Sequence, residues 1–165
     1  MLASACWAEI LRAQTRKFAY FGQATAAEID AIARQIIPDD DTPGAGQAGV
    51  IWFIDGSLAG YDSDKRDLYT RGLADTQAER TQLFPGSTSI ASLTSNQQIE
   101  LLKAIQRTEF FAQVRLHTAL GFFGHPMHGG NREMLGWKHI GIEHVMQFQP
   151  PFGYYDAEAS GAESK

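Results

Sequence analysis

Cysteine is nearly absent. Cys6 stands alone in 165 residues, which excludes an internal disulfide or a CxxC metal site within one chain. Basic residues are outnumbered, fourteen Lys and Arg against nineteen Asp and Glu, and they are scattered. The clustered positive charge that phosphate binding requires is therefore missing, which argues against a nucleic-acid partner. No apolar run approaches the roughly eighteen residues needed to cross a bilayer. There is no G-x-G-x-x-G, no Walker loop and no G-x-S-x-G elbow, and the length does not accommodate a dinucleotide fold plus a substrate domain. Flavin is accordingly not expected in this chain alone. HExxH and paired Glu-x-x-His are missing too. His117, His125, His128, His139 and His144 all fall in the last third, but their spacing gives little support to a protein-built metal site. Asp39, Asp40 and Asp41 lack the alternating ligands and distal Glu of an EF-hand, and helix capping is the better account of them.

What is present reads as helix. A composition that is 44% hydrophobic can build one core at this length, so one domain is expected. Thr25-Ala-Ala-Glu28 has capping-box spacing, and Ile29, Ile32, Ala33 and Ile36 follow at helical period, which predicts a helix from about Ala26 to Ile36. Pro38 stops it. Thr42 as N-cap and Pro43 at the first helical position predict a second helix, whose Ala48, Val50, Ile51, Trp52, Phe53 and Ile54 leave little polar face and imply burial. A buried strand competes for this segment. Helix is preferred because the Thr-Pro start and an Asp55-Gly56 exit fit capping rules, with Asp55 a local cap or half of a buried pair. Asp62-Ser63-Asp64 opens a third helix to about Leu83, with Leu68, Tyr69, Gly72, Leu73 and Ala78 toward one side, ended by Phe84-Pro85-Gly86-Ser87. Thr94-Ser-Asn-Gln97 is a second capping box, leading Ile99, Leu102 and Ile105 into a fourth helix; Phe110, Phe111, Val114 and Thr118 mark a fifth. The expectation is an all-α, single-domain bundle of about five helices. Residues 1–19 form an N-terminal segment, 20–142 the helical domain, and 143–165 a tail that is aromatic and then polar.

The stretch from Thr118 to Lys138 is the most distinctive. Gly129 and Gly130 tolerate positive φ, Pro126 pushes His125 toward an extended backbone, and Asn131 tolerates the left-handed region, so a shaped loop is expected here. Ile36 to Ala45, Ala48 to Asp55 and Glu109 to Thr118 precede it in order. Together these four blocks resemble the gluconate 2-dehydrogenase subunit 3 family, over roughly residues 20 to 142. Where that family usually carries an aromatic, most often Tyr, this chain has His128.

The resemblance implies a small non-flavin subunit partnered with a large FAD-dependent dehydrogenase of the glucose-methanol-choline type, with a cytochrome c or quinone accepting the electrons. It implies no catalytic residue and no metal in this chain, and a role in the folding, export or stability of the large subunit. It also implies a periplasmic or periplasm-facing complex. Leu2-Ala3-Ser4-Ala5-Cys6 look like the end of an export signal, although no charged start or long apolar stretch precedes them.

Eighteen Phe, Trp and Tyr residues are many for a small helical domain, and those outside regular helices are candidates for a partner interface or pocket wall. Trp7, Phe122, Phe123 and Trp137 belong to this group, with Phe152, Tyr154 and Tyr155 after the stiff Pro150-Pro151 pair. From the loop, His125, His128, Gly129, Gly130 and Asn131 join them. Two rivals stand beside this reading: a stand-alone metalloenzyme built on His117, His125 and His128, and an export chaperone that releases its partner after delivery. A lone helical histidine such as His117 is otherwise a core or interface residue.

Overall fold

Helix α2 (Val50–Ala59) is apolar on nearly every side, and most of its residues are buried in the core. The computed structural model describes residues 17–142, and all regular structure among them is helical. The other α-helices are α1 (Gln23–Ile36), α3 (Arg66–Leu83), α4 (Ser95–Ile105), α5 (Glu109–Phe123) and the short α6 (Leu135–His139). Single 3-10 turns occupy Ser63–Lys65, Pro126–His128 and Arg132–Met134. α5 packs on α1, α2 and α3, while α4 bridges α1 and α3. The competition between helix and strand at Val50–Ile54 resolves as helix, consistent with burial among helices on all sides.

Asp55 lies inside α2, one turn before its end, and is buried. Its carboxylate accepts the backbone N–H groups of Ala19 at 2.7 Å, Tyr20 at 3.0 Å and Phe21 at 2.8 Å. It is thus neither a helix cap nor half of a salt bridge. It ties the entry segment to the central helix, beside a stack of Phe18 on Trp52 with ring centroids 4.2 Å apart. Arg66 closes the far end of α2 by donating to the carbonyls of Leu58 and Ala59, the C-terminal acceptors that a helix leaves unpaired.

Several boundaries differ from expectation. α1 begins at Gln23 with Gly22 as N-cap, so Thr25 lies within the helix, and Glu28 accepts instead from the Ile90 N–H at 2.7 Å. α2 begins at Val50, after Gly49 in the left-handed region, rather than at Pro43. The intervening turn is pressed against the end of α1: Ala45 N–H bonds Ile37 O, and a Cβ on Gly44 would meet the Pro38 carbonyl. Asp39 caps that turn, not a helix, by accepting from the N–H groups of Gly44 and Gln47 while pairing with Arg34. In α3 Ala78 faces solvent and Thr76 and Arg80 are buried; in α4 Ile99 faces out and Leu101 in. The Thr94–Gln97 capping box is present in both halves.

Candidate functional site

The loop after α5 folds back on the end of that helix as a clasp. Gly124 N–H closes the last turn on Leu120 O. The carbonyls at the very end of the helix, of Phe123 and Gly124, find side-chain donors: Trp137 Nε1 reaches Phe123 O at 2.7 Å and Asn131 Nδ2 reaches Gly124 O at 2.8 Å. Asn131 is fully buried, and its amide oxygen accepts from Gly136 N–H at 2.8 Å, so one side chain holds both ends of the loop. Arg132 N–H bonds Ala48 O and anchors the clasp to the start of α2.

The glycines act by two different means. Gly129 has φ 102, the left-handed backbone expected of it. Gly130 does not have positive φ; it is required because a Cβ there would sit 2.1 Å from the Gly121 carbonyl oxygen. Gly136 is constrained in the same way by Phe122 O, at 2.0 Å. Asn131, Glu133 and Met134 all take positive φ, an uncommon concentration of strained residues.

The sequence-nominated residues separate accordingly. Phe123, His125 and His128 are exposed, and Gly129 and Trp137 are half-buried. Phe122, at 1% exposure, together with Gly130 and Asn131, is interior: these three position the loop and present no face to a partner. Trp7, Phe152, Tyr154 and Tyr155 lie outside the described residues, as do Cys6, His144 and the Pro150-Pro151 pair.

His117 belongs to α5 rather than to the loop. It is buried in α5, with Nδ1 2.9 Å from the Tyr69 hydroxyl and Nε2 3.1 Å from Asp62 Oδ2; the Gln113 amide closes over the same Nε2 at 2.8 Å. Burial lowers the imidazole pKa, opposed by the Asp62 carboxylate, and raises that of the Tyr69 phenol. The consistent protonation is a phenol donating to Nδ1 and an Nε2–H facing Asp62, with the Gln113 amide turned so that its oxygen rather than its nitrogen meets that N–H. This is a satisfied internal hydrogen-bond chain. Among the described residues no three His, Cys, Asp or Glu side chains gather as a metal site. A cleft of about 410 Å³ beside Tyr20, Phe21, Ile29, Tyr69 and Leu73 offers hydroxyl and amide groups but no carboxylate, imidazole or amine.

The chain matches one known family. The family model described as gluconate 2-dehydrogenase subunit 3 matches residues 23–143. The chain belongs to that family. Neither curated proteins nor solved structures give a match. The match makes this subunit 3 chain a component of a dehydrogenase assembly, and it covers the central helix, the clasp and the buried histidine together. No helix among the described residues is long and apolar enough to cross a membrane.

Residues that sequence reasoning passed over also stand out. Leu116, Leu120 and Met127 are exposed at 51%, 45% and 77%. The signal for them was available: Leu116 and Leu120 lie off the face of α5 that carries Phe110, Val114 and Phe122, which makes the helix apolar on two sides.

Proposed function

We propose that this chain is the small, non-catalytic subunit of an FAD-dependent sugar or sugar-acid dehydrogenase, and that it supports the folding, export or stability of the flavin-bearing large subunit. The family match over residues 23–143 carries this reading. The geometry supports it. The one glycine-rich turn in the clasp is filled by the backbone of α5, since Gly130 has no room even for a Cβ, so a nucleotide cofactor finds no cradle there. Among the described histidines, His117 is bonded internally, while His125, His128 and His139 are exposed.

In that assembly FAD bound to the large subunit supplies the oxidation of the sugar hydroxyl, with a cytochrome c or quinone as electron acceptor. The assembly works in the periplasm or on the membrane surface facing it. This chain contributes surface, and His128 stands where a histidine can offer a hydrogen bond to the partner or to a sugar near its entrance.

Co-expression tests the reading. Purified alone, the chain is expected to lack flavin absorbance and dehydrogenase activity. Co-expressed, it is expected to raise the yield of soluble, yellow large subunit and to purify with it. Stoichiometric flavin in a partner-free sample would overturn the proposal, as would a large subunit whose yield is indifferent to this chain.

A further inference from the structure

Resting on the subunit reading above, we infer that the groove bounded by α1, α4 and α5 receives a segment of the large dehydrogenase subunit that sets one large apolar side chain beside carboxylates. The shape comes from the packing. α1 packs on both α4 and α5, and its last residues, Gln35 and Ile36, close a groove of about 320 Å³ between those two helices. The floor of the groove is apolar. Leu102 is buried, Ile36 and Phe111 are half-buried against the core, and Ile99, at 40% exposure, continues the apolar surface on the α4 side.

Two cations line this floor, Lys103 from α4 and Arg115 from α5. Lys103 follows Ile99 by one helical turn and Arg115 follows Phe111 by one, so each helix sets a cation beside an apolar side chain. No carboxylate lines the groove. Among the described residues neither cation takes part in an ion pair. Two other clefts are built differently. The one beside Tyr20 and Tyr69 has no charged side chain, and a groove of about 590 Å³ between α3 and α4 is lined by Asp75, Glu79 and Glu109 against Arg71. Unpaired positive charge around an apolar floor is thus a property of this groove, in a chain of net -5.

Charge, size and openness then select the occupant. The cations call for an anion, and the planar fork of Arg115 suits a carboxylate. The volume is near the lower end of the roughly 300–1,000 Å³ that encloses a drug-sized ligand, and sites of that kind bury most of what they hold. Here Ile99, Lys103, Gln106 and Arg115 are all exposed, so a free small anion would keep much of its surface in water. A side chain tethered to a partner is held by contacts beyond the groove as well. A lipid fits less well: the lining on α4 runs from Ile99 to Gln106, about 10 Å of helix at roughly 1.5 Å per residue, against about 15 Å for one leaflet of a hydrocarbon core roughly 30 Å thick.

The experiment uses the full chain co-expressed with its dehydrogenase subunit. A carbodiimide, which joins an amine to a carboxylate in direct contact with it, is expected to link Lys103 to an Asp or Glu of the large subunit, read by mass spectrometry. Lys103→Glu/Arg115→Glu is expected to lower recovered complex on the order of tenfold or more, because like charges then face each other. Lys103→Arg keeps the charge and should pair as wild type does while losing the link, and Arg71→Glu, a reversal on α3, should pair normally. Helix content and melting midpoint should match wild type in the reversed variant, since both side chains are exposed; if that variant does not fold, the wild-type cross-link decides alone. A reversed variant that folds and pairs as tightly as wild type overturns the inference and leaves the subunit reading standing. So does a complex in which Lys103 links only to its own chain. A wild-type chain that fails to pair overturns both. Attachment through these two cations to phosphatidylglycerol vesicles, or to a second copy of this chain, also overturns the inference, because the occupant is then a different one.

Discussion

α2 and α5 are both apolar on more than one side, yet they end up in opposite situations. α2 is enclosed by its own chain. Val50, Ile51, Phe53, Ile54 and Leu58 are buried, Phe18 covers Trp52, and the backbone of Ala19–Phe21 covers Asp55. α5 is enclosed on one side and bare on the other, with Leu116, Leu120 and Phe123 facing out. Apolarity all round predicts burial in both cases. The difference is what does the burying: folding covers most of α2, whereas the outward face of α5 stays partly exposed among the described residues. The polar residue inside each helix makes the same point. Asp55 ties α2 to a remote segment, and His117 ties α5 to Tyr69 and Asp62 on its inner side only.

The largest effect should come from breaking the α2 side. Asp55→Ala removes the acceptor of three backbone N–H groups, that of Phe21 buried and those of Ala19 and Tyr20 part-buried, and is expected to cost about 3 kcal/mol, because an orphaned buried donor carries its full desolvation penalty and the other two bonds are lost with it. A denaturant titration reads this directly. A loss under about 1 kcal/mol, the net worth of one ordinary hydrogen bond, would show that the entry segment is dispensable and α2 less enclosed than described.

Next in size is the clasp. Gly130→Ala places a Cβ 2.1 Å from the Gly121 oxygen, so the loop must lift from α5. Overpacking against backbone of this kind is expected to cost about 2 kcal/mol, more than the strain of roughly 1 kcal/mol for Gly129→Ala at φ 102. Hydrogen exchange at Gly136 N–H, the donor to Asn131, should accelerate in the Gly130 variant. If Gly129→Ala is the more damaging of the two, conformational freedom governs the loop rather than close approach.

A smaller effect is expected from pH. The folded chain holds His117 neutral because burial lowers its pKa, against the pull of Asp62, while in the unfolded chain the imidazole titrates near its ordinary value of 6.5. Above that pH both states are neutral and nothing is lost. As the pH falls below 6.5 the unfolded chain takes up the proton first, so stability declines until the lowered folded pKa is reached. Lys65, which also disfavours the charged form, acts in the same direction; Tyr69 and Gln113 stay uncharged across this range. Denaturant midpoints at pH 7.5 and 5.5 should fall further for wild type than for His117→Gln. Equal falls would place the titration elsewhere.

The helical class, the Thr94–Gln97 box and the Pro126–Gly129 turn were legible because each is decided by residues close together in sequence. What was not legible was decided by distant partners. Thr25 and Glu28 have the spacing of a capping box, but Glu28 finds Ile90, sixty-two residues away, and the helix starts at Gly22 instead. Thr42-Pro43 has the chemistry of a helix start, yet the turn that follows must pack on Ile37 and Pro38 before α2 begins. At the candidate site the loop itself was visible, but which aromatics face in was not: Phe122 and Phe123 are adjacent in sequence and opposite in fate. The exposed stripe escaped notice because a sequence pattern counts apolar residues without saying which side of a helix remains uncovered.

The smallest effect is the most informative for the comparison. Ile54→Ala in α2 and Leu120→Ala in α5 delete the same number of carbon atoms from two apolar helices. In the free chain Ile54 is fully buried, so its loss is expected to cost about 3 kcal/mol through lost burial and an unfilled cavity. Leu120 is 45% exposed, so it buries only part of its surface on folding and its removal opens no enclosed cavity; its loss is expected to stay within about 1 kcal/mol, with a slight gain in helix propensity as offset. Thermal melts of the isolated chain measure both. A near-silent Leu120→Ala means that folding of the free chain does not require Leu120, which removes intramolecular packing as the reason for an apolar residue at that position. A loss comparable to that of Ile54→Ala would mean instead that the outward face of α5 is covered within the chain itself, and the contrast between the two helices would disappear.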